Sequence, residues 1–140
     1  EIARRVEAKP GVKEYGALSV TLGLYFRPRV LFSVDPRCFY PRPEVMSALV
    51  SLEPATDLPL EGKERELFHR VVKSAFWGRR KTLLTALAEA PHLNIKRDSA
   101  ASALSAMGLD AKIRGENLGV REFVDLTQRL SREDHEQYKP

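Results

Sequence analysis

Cysteine is nearly absent from this sequence. Cys38 stands alone, so no internal disulfide can form, and a reducing compartment, the cytoplasm, is expected. Histidine is scarce as well. His69, His92 and His135 are scattered, and no Cys/His cluster has metal-ligand spacing, so no metal is expected. No apolar run approaches the roughly 20 residues of a membrane span, so no membrane partner is expected. The opening residues, Glu1-Ile2-Ala3-Arg4-Arg5, hold neither an initiator Met nor an apolar leader segment. They have the character of a helix interior, and the chain is expected to be a fragment. No Gly-x-Gly loop occurs, which removes the usual cradle for a nucleotide-like cofactor after a strand. No Ser/His/Asp or Cys/His arrangement supports a covalent nucleophile.

What is present suffices for a folded protein. Of 140 residues, 43% are hydrophobic and 30% charged, which predicts a core rather than disorder. The net charge of +4 is unevenly spread. Residues 1–61 are neutral, residues 98–140 carry −2, and residues 62–97 carry +6 from nine basic and three acidic side chains. A positive excess confined to one stretch points to a polyanion-facing surface.

The pattern changes near Glu53-Pro54-Ala55-Thr56-Asp57-Leu58-Pro59-Leu60-Glu61-Gly62, where two prolines and a glycine mark a linker. Before it, residues 1–8 suggest a helix stopped by Pro10-Gly11. Residues 16–26 fit a helix through Leu18, Leu22 and Tyr25, and a strand through Val20, Leu22, Leu24 and Phe26. Residues 29–34 and 45–52 are strand-like, joined by a proline-stiffened loop, Pro36 to Pro43, that should hold its aromatics in set positions. After the linker, four helices are expected: 63–77, roughly 80–90, one capped by Asp98 or Ser99 and closed at Gly108, and about 120–130. In the last, Glu122 is placed to complete a box-like cap on Gly119.

Four blocks carry a family resemblance. Phe39-Tyr40-Pro41-Arg42-Pro43-Glu44-Val45-Met46-Ser47 resembles the F-x-P-x-P-x-V-x-S element of the KsgA family, the adenine-N6,N6-dimethyltransferases of small-subunit ribosomal RNA. Residues 14–20 resemble its Y-G-x-L-S-V block, residues 75–83 its A-F-x-x-R-R-K-T-L block, and residues 114–123 its R-A-E-N-L-S block, in the family's order. The chain departs from the family at Arg42, Glu44 and Met46, where Pro, Lys and Asp are common, and at Gly119, where a serine cap is usual.

The resemblance implies a fold. Residues 1–53 would be an α/β remnant, the C-terminal end of a Rossmann-like methyltransferase sheet with its antiparallel strand pair. Residues 54–61 would be a linker, 62–135 a small all-α RNA-binding domain, and 136–140 a tail. It also implies an S-adenosylmethionine-dependent enzyme whose donor-binding and Asn-Leu-Pro-[Tyr/Phe] motifs do not occur in these residues. The chain alone is expected to be inactive and not to bind the donor. The implied partner is small-subunit rRNA in the 30S pre-ribosomal particle, with the protein a monomer. Two alternatives stay open: a non-catalytic RNA-binding or assembly module, and a macrolide-resistance-type 23S rRNA methyltransferase sharing the F-x-P-x-P loop. The Arg-Arg-Lys-Thr-Leu and Arg-Gly-Glu-Asn-Leu blocks favour the small-subunit enzyme.

Phe39 is the sharpest site candidate. An enzyme acting on a base must extrude and hold it, and an aromatic face does so without blocking the exocyclic amine. The resemblance places the target-base clamp here; the competing reading is a core phenylalanine that anchors the loop. Tyr40 is expected as structural support. Arg79, Arg80 and Lys81 are expected at a helix start, where positive charge opposes the helix dipole, so phosphate contact would explain them. A solvated face, or ion pairs to Glu64 or Glu66, is the alternative. Arg70 and Lys73, with Lys63, extend the patch at helical spacing. Trp77 could stack a nucleotide or pack. His69 is expected at the surface without a partner.

Overall fold

The computed structural model describes residues 1–137, with side-chain environments up to residue 134. Of the expected tail, residues 138–140 lie outside the described residues, as does the side chain of His135.

Helix α1, Ile2–Glu7, stops before Pro10-Gly11 as the sequence predicts. The ambiguous stretch resolves as helix α2, Ala17–Tyr25. Its Val20 and Leu24, four residues apart, face the core, which a strand would not achieve for this pair together with Ser19. The Gly16 N–H donates to Ser19 Oγ at 3.2 Å, and the Ser19 hydroxyl donates to the Arg5 carbonyl, tying α2 to α1. Gly23 is required by close approach, because a Cβ there would lie 2.8 Å from Val120 Cγ2.

Strands β1, Phe26–Val34, and β2, Ser47–Pro54, pair antiparallel from Phe26↔Pro54 to Val34↔Ser47. β1 begins three residues earlier than the apolar run and includes Pro28, which a two-stranded ribbon tolerates because both strands are edges. β2 begins two residues later than expected. A bulge between Val30 and Phe32 leaves Leu31 unpaired and breaks the inside/outside alternation.

The remainder is helical: α3 Gly62–Trp77, α4 Leu83–Glu89, α5 Arg97–Ala106 and α6 Val120–Gln137. α4 starts at Leu83 rather than 80, because Thr82 is its cap and accepts from the Thr85 N–H at 3.3 Å. The cap position of α5 is Lys96, so Asp98 sits in the first turn instead of capping. Gly108, φ +69°, closes α5, with the Leu109 N–H donating to the Leu104 carbonyl at 3.2 Å. The box on α6 forms as predicted: the Gly119 N–H donates to Glu122 Oε1 at 3.1 Å.

The core is built from Phe68, Val71 and Val72 of α3, Leu83 and Leu87 of α4, and Phe123, Leu126 and Leu130 of α6, all nearly inaccessible to water. Tyr15, Val20 and Leu24 belong to the same cluster. Residues from both sides of the 54–61 stretch thus share one apolar interior, and Leu60 is itself buried in it.

Candidate nucleic-acid interface

Three of the four resemblance blocks meet at one side chain. The Tyr15 hydroxyl donates to the Leu118 carbonyl at 2.5 Å, and its ring meets Phe76 edge-on at 6.0 Å. Arg79 Nη2 donates to the Tyr15 and Lys13 carbonyls at 3.2 and 3.1 Å. Burial, and then the charge of Glu122, pushes the Tyr15 phenol up to about 12. Sequence reasoning does not single out Tyr15, although it lies in one of the blocks; no spacing rule connects it to residues 79 and 118.

The basic triplet is not at a helix start. Arg79, Arg80 and Lys81 lie in the turn after α3, closed by the Lys81 N–H donating to the Gly78 carbonyl at 2.8 Å, and α4 begins beyond them. They follow the C-terminal end of α3, where cations suit the dipole, so local electrostatics favours the triplet instead of opposing it. Its members are also unequal. Arg79 clamps backbone carbonyls. Lys81 pairs with Glu89, not with Glu64 or Glu66, and this contact holds the Glu89 carboxyl below its ordinary range. Among the described residues, Arg80 makes no ion pair.

On α3, Arg70, Lys73 and Trp77 recur at i, i+3 and i+7, so they share one exposed stripe with Glu66. His69 is not a free surface residue. It is half-buried, its Nε2 lies 2.7 Å from the Tyr25 hydroxyl, and the two rings stack at 5.8 Å. The two residues are 44 positions apart, beyond the reach of local pattern reasoning.

The loop between the strands is pinned at its start. Asp35 accepts from the Arg37 N–H at 2.8 Å and from Arg37 Nε and Nη2 at 3.0 and 3.1 Å, closing a 3-10 turn over Pro36–Cys38. Those bonds hold the Asp35 carboxyl low. Phe39 follows, 44% exposed and outside the core cluster. Tyr40, expected as support, is fully exposed and so props nothing among the described residues.

A family model described as ribosomal RNA adenine dimethylase matches residues 1–131. The chain belongs to this family. It is 40% identical over 130 residues to ribosomal RNA small subunit methyltransferase A of Moorella thermoacetica, covering 93% of this chain and 44% of that protein. For the same enzyme from Clostridium botulinum strain Loch Maree the identity is 39%, covering 91% and 45%. The chain therefore spans under half the length of these curated relatives. In structure it resembles a dimethyladenosine transferase from Plasmodium falciparum, with a TM-score of 0.81 at 19% identity over 95% of this chain and 55% of that one. It also resembles the 23S rRNA methyltransferase ErmE, with a TM-score of 0.59 at 25% identity over 93% and 51%. The antiparallel strand pair and the small helical bundle expected of a ribosomal RNA adenine dimethylase are both present.

The strand–glycine loop–helix cradle that usually holds a methyl donor is not formed by β1 or β2 among the described residues. β1 leads through the Pro36–Cys38 turn into antiparallel β2, and β2 reaches α3 through residues 55–61, which hold no glycine before Gly62 opens the helix. The chemistry these residues offer is a pinned, exposed phenylalanine and a basic helix face, both suited to nucleic acid.

Proposed function

We propose that the chain is the RNA-facing part of an S-adenosylmethionine-dependent small-subunit rRNA adenine-N6,N6-dimethyltransferase acting during ribosome biogenesis. Family membership across residues 1–131 is the observation that carries this reading. Support comes from the names of the relatives and from the confinement of net positive charge to residues 62–97. Arg70, Lys73, Arg79, Arg80 and Lys81 are assigned to rRNA contact, with Arg79 also fastening the fold. Phe39 is assigned to stacking on the target adenine. The identity to small-subunit enzymes, with the likeness to ErmE weaker, favours that substrate over 23S rRNA.

In a protein that carries these residues together with a donor site, Phe39→Ala should lower the methylation rate by about 1–3 kcal/mol of forfeited stacking and leave rRNA affinity nearly unchanged. Equal losses in rate and binding would mean that the loop has collapsed, and an unaltered rate would remove Phe39 from the site. A second reading, a non-catalytic RNA-binding or assembly module, is favoured for these residues by themselves because no donor cradle is built from them. Calorimetric titration of the chain with S-adenosylmethionine should show no binding; micromolar affinity would contradict the assignment of the donor site elsewhere.

A further inference from the structure

Among the described residues, Trp77 takes no part in the apolar interior. It ends α3 and is 47% exposed, and unlike its neighbour Phe76 it is not among the residues packed against the core. Phe76 takes the interior position, against Tyr15 and Phe123. One face of the indole is occupied: Lys81 Nζ sits 5.0 Å from the ring centroid. Gly78 makes this possible. A Cβ at Gly78 would lie 3.0 Å from Lys81 Cδ and 3.2 Å from Cγ, so the absence of a side chain lets the lysine stem fold back toward the tryptophan. Glu89 then holds the ammonium from the other side. The indole is thereby braced by a cation, at the end of the stripe that carries Arg70 and Lys73, beside Arg80.

We infer that Trp77 is a stacking platform for an unpaired nucleobase of the bound RNA, with Lys81 as its brace. The inference rests on the RNA-binding reading above and sharpens it. Phosphates follow the basic stripe, and one base leaves the helical stack to meet the exposed part of the indole. A braced ring loses little freedom on stacking, and base–aromatic contact accepts any base. A duplex with no unpaired base would engage the charges but not the ring.

Trp77 is the chain's one tryptophan, so its emission reports on this site alone. The probes are a stem-loop RNA with an unpaired purine-rich loop and a fully paired duplex with the same number of phosphates. The stem-loop should quench the emission and the duplex should not. Trp77→Ala should weaken stem-loop binding roughly tenfold or more, leave duplex binding and the salt slope unchanged, and Trp77→Phe should retain most of the affinity. If the stem-loop binds with unquenched emission and Trp77→Ala binds it as tightly as the parent, the platform is refuted while the basic surface stands. If Trp77→Ala weakens stem-loop and duplex alike, the residue supports the fold and the inference also fails. If the unaltered chain binds neither RNA, both readings fall together.

Discussion

The hairpin and the helical part of the chain treat their apolar residues in opposite ways. In β1, β2 and the loop between them, Leu31, Phe32, Val45, Met46, Leu49 and Leu52 stand between 43% and 70% exposed, and no strand residue is fully buried. In α3, α4 and α6, Phe68, Leu83, Leu87, Phe123 and Leu126 are inaccessible. These helices close one core together with α2, α5 and the loop residues Tyr15, Leu60, Leu93 and Leu118, and no residue of β1 or β2 belongs to it. The ribbon contributes backbone pairing and presents Phe39, while adding little to that core. The helical core and the exposed ribbon thus differ in what they contribute to stability, and a substitution should reveal which one it touches.

The largest contrast lies in paired truncations. Phe68→Ala should cost about 3–5 kcal/mol by opening a cavity, whereas Phe32→Ala in β1 should cost under about 1 kcal/mol. Urea denaturation of the two variants checks this; similar losses would show that the ribbon is part of the cooperative core. Next is the pH response of Tyr15. Its phenol is held at about 12 when folded, above its ordinary value of 10.0. Between pH 10 and 12 the unfolded chain therefore releases a proton that the folded chain keeps. The contribution is intact below pH 10 and fades as pH rises toward 12, about 2 kcal/mol in all. Tyr15→Phe should lack that decline relative to the parent; superimposable stability curves in this window would place the phenol in water.

Smaller effects separate the members of the basic turn. Arg79→Ala should lose about 1 kcal/mol of stability, because two hydrogen bonds to backbone carbonyls disappear, while Arg80→Ala should leave stability unchanged and weaken RNA binding. The opposite assignment in thermal melts would exchange their roles. Last, Ser74 is buried with its hydroxyl unpartnered among the described residues. Ser74→Ala should be neutral or stabilise by up to about 1 kcal/mol; a clear loss would reveal a hydrogen bond that the static geometry does not contain.

Much of the helical part is legible from spacing. The α3 stripe, the Gly108 stop and the Gly119–Glu122 box follow local rules, because helix periodicity and capping span only a few residues. The α2 stretch is ambiguous in sequence because its apolar positions satisfy both periods, and only packing of Val20 and Leu24 into the shared core decides between them. The start of α4 falls later than expected because the helix-compatible Arg80 and Lys81 give no stop signal, while Thr82 supplies the cap. The family blocks are visible as strings, but their meeting at Tyr15 is not. Contacts across 64 and 103 positions depend on the fold, as does the pairing of Tyr25 with His69. The unequal status of Arg79, Arg80 and Lys81 comes from geometry alone.

The basic face of α3 and its following turn is the surface on which the RNA reading depends. The most direct test is RNA affinity across a salt series for the parent and for a variant with Arg70, Lys73 and Arg80 all replaced by Ala, with circular dichroism as the folding control. These three are chosen because none makes an ion pair among the described residues. The log–log slope should flatten by about 0.7–0.9 for each phosphate that the variant no longer neutralises, and binding should weaken for every sequence alike. Parallel lines from two equally folded proteins would contradict the RNA reading and leave the face as solvated surface.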